Sequence, residues 1–126
     1  MNPMVPTKEE LEMIRDSIIL PFMLDMIENE RNKLERDTQP LRGLFLAANE
    51  KLMNTIHSEL VRVKKELRER KIKVVEDGRE LGELRYRYWC RGYEDTFMMV
   101  KYVVKSELSV RFGKAIAEVS RELGKK

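Results

Sequence analysis

The sequence predicts an α+β fold, predominantly helical, from three observations. Apolar residues recur at three- and four-residue spacing in two long runs before residue 70; a stretch of alternation lies between residues 71 and 91; helical spacing then returns as far as residue 123. Two long N-terminal helical regions, a β-hairpin and a long C-terminal helix follow from these patterns. At 126 residues, with 42% apolar and 37% charged, the chain is expected to form a single domain over residues 1–126 around one core.

The first helical region begins at Thr7-Lys8-Glu9-Glu10, a capping box in which the Thr7 hydroxyl accepts from the Glu10 N–H and the Glu10 carboxylate reaches back to the Thr7 N–H. Leu11, Ile14, Ile18 and Phe22 continue it, and Met26 or Ile27 carries the stripe toward Leu34. Pro21 predicts a kink, or a break with Pro21 opening a second helix, and Asp37-Thr38-Gln39-Pro40 is the first clear stop. From Leu41 the apolar positions Phe45, Ala48, Leu52, Ile56, Leu60, Val63 and Leu67 mark one helical face running to about Arg70. A helix that long needs a partner along its length, so residues 7–70 are read as a helical hairpin, with a second copy of the chain as the other way to cover the face.

Beyond Lys71 the period changes to two. Ile72 and Val74 alternate with Lys71 and Lys73, Asp77-Gly78 is a hairpin-type turn, and Leu84, Tyr86, Tyr88 and Cys90 alternate with Arg85, Arg87, Trp89 and Arg91. A two-residue turn at Asp77-Gly78 would put Leu81 and Leu84 on opposite faces, so Gly82 is expected to form a bulge, or the loop to widen over residues 76–83. Gly92 ends the alternation, and Glu94 and Asp95 read as first-turn acids of the C-terminal helix, over residues 94–123. Phe97, Val100, Val104, Leu108, Phe112, Ile116, Val119 and Leu123 form its stripe, with Gly124 placed to end it.

The charges are unevenly divided. Residues 1–59 carry −4, residues 60–91 carry +5 and residues 92–126 carry +2. If Leu84, Tyr86, Tyr88 and Cys90 turn inward, then Arg85, Arg87, Trp89 and Arg91 share the opposite face, joined by Lys71 and Lys73. Those six residues are the expected partner-binding face. Arg and Trp suit a protein partner, which gives the first functional reading: a non-enzymatic, self-associating interaction module, a dimer by preference, since exposed strand edges also let subunits join. The same face offers guanidinium groups for phosphates and an indole for base stacking, so a single-stranded nucleic-acid-binding regulator is the alternative. A solvated polar strand face is the plain third reading.

Catalysis finds little support. His57 and Glu50 lie two helical turns apart, too far for one metal shell, and one histidine with one cysteine makes no usual zinc set. Asp25 and Glu28 share a helix face, which leaves a carboxylate metal-dependent hydrolase as a second alternative, but the partner Glu-x-x-His motifs are missing. Cys90 reads as a small buried hydrophobe. No phosphate loop, nucleophile elbow or dinucleotide fingerprint occurs, so no catalytic residue, metal or cofactor is expected. The lone cysteine and the absence of a signal-like N-terminus point to the cytoplasm, and the longest apolar run, residues 18–23, is too short to cross a bilayer.

Overall fold

A computed structural model describes residues 5–80 and 82–123; Leu81 and Gly124, which figured in the turn and helix-end expectations, lie outside them. The chain runs α1 (Lys8–Arg36), α2 (Arg42–Glu69), β1 (Ile72–Glu80), β2 (Glu83–Cys90), β3 (Tyr93–Val100) and α3 (Lys101–Leu123), an α+β architecture dominated by helix. The capping box is present in both halves, Glu10 N–H to Thr7 Oγ1 at 3.1 Å and Thr7 N–H to Glu10 Oε1 at 3.0 Å. Pro21 neither breaks α1 nor opens a new helix: the 29 residues form one element with the proline inside it. The surroundings account for this tolerance. Ile18, Ile19, Leu20 and Met23 are buried on all sides, and burying such side chains contributes roughly 1.5–3 kcal/mol each, enough to offset one missing rung.

The turn between the helices is held by its own side chains. Asp37 accepts from the backbone N–H groups of Thr38 and Gln39, while the Arg42 guanidinium donates to the last carbonyls of α1, Leu34 and Glu35. The helices are antiparallel, since Asn49 reaches Ile27 near one end and Arg70 reaches Glu9 and Glu10 at the other. Asn49 is fully buried in the seam; its Nδ2 donates to the Ile27 carbonyl at 2.9 Å, and its Oδ1 has no hydrogen-bond partner among the described residues. Lying antiparallel to α2, α3 is tied by Lys51 to Glu118 and Glu122 and by Arg111 to Glu59, and Arg15 of α1 bonds Glu107.

The sheet is antiparallel in the order β1-β2-β3, and it departs from the hairpin the alternation predicts in two ways. Asp77 and Gly78 do not turn the chain. They lie inside β1, where the register slips between Glu76 and Gly78, and the turn falls after Glu80, which pairs with Glu83. The extra residue that restores parity is thus Asp77, not Gly82, and Gly78 at φ 138° supplies backbone that other residues rarely adopt. Second, residues 93–100 form a strand, and the last helix begins at Lys101, not at Glu94. Arg91 (φ 51°) and Gly92 (φ 96°) are both left-handed, the conformation of a two-residue hairpin turn joining Cys90 to Tyr93, and that turn commits the following residues to pairing with β2.

Leu84, Tyr86, Tyr88 and Cys90 are all buried, and with Ile72 and Met99 they close the inner face of the sheet over the helices. Among the described residues no helix is long and apolar enough to cross a membrane.

Candidate interaction surfaces

Parity places Arg85, Arg87 and Trp89 on the outer face of the sheet, as the alternation predicts, and Lys73 joins them because it pairs with Trp89 across β1 and β2. The Lys73 ammonium stands 5.9 Å from the centre of the Trp89 ring, a cation–π contact. Val75 lies opposite Arg87, while β3 adds Glu94, Thr96, Met98 and Val100 to the same side as partners of Trp89, Arg87, Arg85 and Glu83. Val75 is 41% exposed and Met98 58%.

The face is not the positive surface that β1 and β2 alone imply. Arg87 lies between Asp77, at 3.5 Å, and Glu94, at 3.3 Å, and Arg85 approaches Glu83 at 3.8 Å. Lys73, Arg85 and Arg87 are therefore matched by Asp77, Glu83 and Glu94. Two of these acids escape the sequence pattern for one reason each: Asp77 reads as a turn residue, and Glu94 as a first-turn helix residue.

Two of the six expected residues leave the face. Arg91 sits in the β2–β3 turn and points the other way, onto the start of α1. Its guanidinium grips the Glu10 carboxylate through both nitrogens, at 2.9 and 3.0 Å, and donates to the Arg70 carbonyl at 3.0 Å. Glu10 is only 4% exposed, and the Arg91 hydrogen bonds, aided by the Thr7 N–H and the charges of Arg91 and Arg70, hold its pKa at about 2 against the desolvation that opposes them. One carboxylate thus caps α1 and fastens it to the sheet and to the end of α2. Lys71 also leaves, because it adopts left-handed backbone (φ 60°) between α2 and β1 rather than extending the strand. Lys71 instead joins Lys64 and Arg68 of α2 and Lys73 at a groove of about 470 Å³ beside β1, whose apolar lining includes Leu67, Ile72 and Val74.

The remaining candidates are dispersed. Asp25, Glu28, Glu50 and His57 are exposed, and no group of three His, Cys, Asp or Glu able to hold a metal occurs among the described residues. Cys90 is buried, and burial pushes its thiol pKa up despite the neighbouring Arg91, so it is held as the thiol. A cluster the sequence reading missed joins all three helices: Arg15, Asp16, Glu59, Glu107 and Arg111. Burial raises the Asp16 pKa there against the pull of Arg111 and Arg15. Its members are 52 and 92 residues apart at their longest links, so no local spacing could reveal it.

Compared with known proteins, residues 5–120 match the family model described as YhjD protein. No curated protein and no solved structure matches the chain.

Proposed function

The chain belongs to the YhjD family, and we propose that it is a non-enzymatic interaction module of the cytoplasm whose copies associate through the outer faces of their sheets. One observation carries this reading: the outer face combines exposed Val75, Met98 and Val100 and part-exposed Trp89 with balanced charge, Lys73, Arg85 and Arg87 against Asp77, Glu83 and Glu94. A twofold interface sets a surface against its own copy, so a face of one sign repels itself, whereas a face of mixed sign can exchange its ion pairs across the axis. Three strands of this length span about 14 by 26 Å, a small interface that suits micromolar and not nanomolar association.

Sedimentation velocity between about 1 and 100 μM tests it. The mass is expected to rise toward the dimer with concentration, and Val75→Glu with Met98→Glu to hold the chain as monomer with unchanged circular dichroism. A monomer throughout the range, or a dimer untouched by the double substitution, removes the reading. Single-stranded nucleic acid on the same face is the alternative that Lys73 and Trp89 favour. With Arg91 turned away and Arg85 and Arg87 engaged by acids, Lys73 remains, and one phosphate contact gives a log–log salt slope of only about −0.7. A slope near −3.5 with quenching of Trp89 on adding oligothymidylate would favour that alternative instead.

A further inference from the structure

We propose that the groove beside β1 binds an acidic, extended segment of a protein partner, which adds to the sheet as a fourth strand. The site is the edge of the sheet and not its outer face, so it stands apart from the self-association reading.

The backbone supplies the first argument. As the outermost strand on its side, β1 has one open edge. The Arg91 N–H donates to the Lys71 carbonyl at 3.3 Å while the Lys71 N–H turns back to the Arg68 carbonyl, so Lys71 and Arg91 share one bond of a bonded pair, in phase with the register of β1 and β2. Bonded and non-bonded pairs alternate along an antiparallel ladder, so Lys73 and Val75 turn their N–H and C=O groups toward β2. Ile72 and Val74 turn theirs toward the open side, and both line the groove. An extended peptide is the ligand whose own main chain matches such an edge.

Charge selects the kind of peptide. Lys64, Arg68 and Lys71 border the groove, and among the described residues no Asp or Glu lines it; Lys73 borders it too, but its ammonium stands over Trp89 on the outer face. Lys64 and Arg68 are one helical turn apart, a like-charge spacing that costs stability unless something answers it. Among the described residues neither of them, nor Lys71, forms an ion pair. The groove between α2 and α3 differs: Glu59 and Glu118 line it beside Lys51, Arg111 and Lys114, and Lys51 and Arg111 are held by Glu118, Glu122 and Glu59. Arg68 lies in the last turn of α2, where the helix dipole favours a cation, but Lys64 precedes that turn and Lys71 lies beyond the helix. A second copy of this chain fits poorly at the edge, since pairing β1 with β1 would bring up three more cations, Lys64, Arg68 and Lys71 of the other copy. Nucleic acid has no strand of N–H and C=O groups to offer, and Trp89 points from the other side of the sheet, under the Lys73 ammonium.

The probe is a fluorescein-labelled eight-residue peptide of alternating Glu and Val, followed by anisotropy with the full chain. Saturable binding is expected, weakening about tenfold between 50 and 200 mM salt. Methylating alternate backbone nitrogens in one phase is expected to weaken binding at least tenfold, and in the other phase to spare it, because only one phase faces β1. Lys64→Gln with Arg68→Gln is expected to weaken binding about tenfold without changing the circular dichroism, and a Lys/Val peptide is expected not to bind. A Met98→Glu chain, altered only on β3 away from the docking edge, is expected to bind the peptide as the unsubstituted chain does, so failure here and failure of self-association are told apart. Equal binding by both methylated peptides, tighter binding of an oligothymidylate of equal charge, or no saturable binding up to about 1 mM would each overturn the proposal.

Discussion

Glu10→Gln tests the joint that holds α1, α2 and the sheet together. The carboxyl moves from an ordinary 4.5 to about 2 in the folded chain, led by the hydrogen bonds from Arg91. At ~1.36 kcal/mol for each pKa unit, that difference is worth about 3 kcal/mol of stability at neutral pH. Because the folded value is the lower one, the contribution is complete above pH 4.5 and is lost as pH falls toward about 2. Glutamine keeps an oxygen for the Thr7 N–H but presents an N–H₂ group to Arg91, so it mimics the protonated state. Urea unfolding is expected to show Glu10→Gln about 3 kcal/mol less stable at pH 7, with the gap closing between pH 4.5 and 2 as the unsubstituted chain takes up its proton. Arg91→Gln is expected to cost a similar amount, and the double substitution clearly less than the sum. Glu9→Gln, which removes an exposed carboxylate 3.6 Å from Arg70, serves as control and is expected to change stability by less than about 0.5 kcal/mol. A gap below about 1 kcal/mol at pH 7, or one that does not vary with pH, would refute the reasoning.

Two other substitutions probe the helix seams. In Asp16 the folded pKa is raised by burial, so the fold favours the protonated form; that stabilisation is present below the ordinary 3.8 and lost as pH rises through the folded value. Asp16→Asn is therefore expected to match or exceed the unsubstituted melting temperature at pH 7, with the difference vanishing in acid, and a fall of more than about 4 °C at pH 7 would count against it. Asn49→Leu removes a buried amide that, among the described residues, makes one hydrogen bond while its Oδ1 has no partner, at little change in volume. Its stability in urea is expected to stay within about 1 kcal/mol of the unsubstituted chain, and a loss above about 2 kcal/mol would show that the single bond to Ile27 outweighs the unpaired oxygen.

What could be read from the sequence was what depends on neighbours in the chain. The Thr7 cap, the apolar face of α2 and the alternation of β2 are local patterns, and each stands in the fold as read. Errors arose where two patterns overlapped. Phe97 and Val100 fall at the right spacing to extend the α3 stripe through Val104, and Glu94 and Asp95 look like first-turn acids, so residues 93–100 passed for helix. The contrary signal was the run of odd positions Tyr93, Phe97 and Met99, which point inward, together with a residue at Arg91 able to share a left-handed turn with Gly92. Asp95 breaks that alternation and hides it. Placement of Arg91 was out of reach for a different reason: its partner Glu10 is 81 residues away, and nothing near either residue distinguishes this pair from other Arg and Glu residues.

The consequence of the third strand is electrostatic. With β1 and β2 alone, the outer face gathers Lys73, Arg85 and Arg87 and asks for an anion. Glu94 and the bulged Asp77 cancel that demand by engaging the central arginine, leaving a neutral, partly apolar face fit for another protein surface. No such cancellation reaches the far side of β1. Lys71 is carried there by its left-handed turn, Lys64 and Arg68 by the phase of α2, and among the described residues no acid lines the groove with them. The unbalanced charge of residues 60–91 therefore survives at the edge of the sheet rather than on its face, beside the main-chain groups of Ile72 and Val74, and it is there that an anionic partner would gain most.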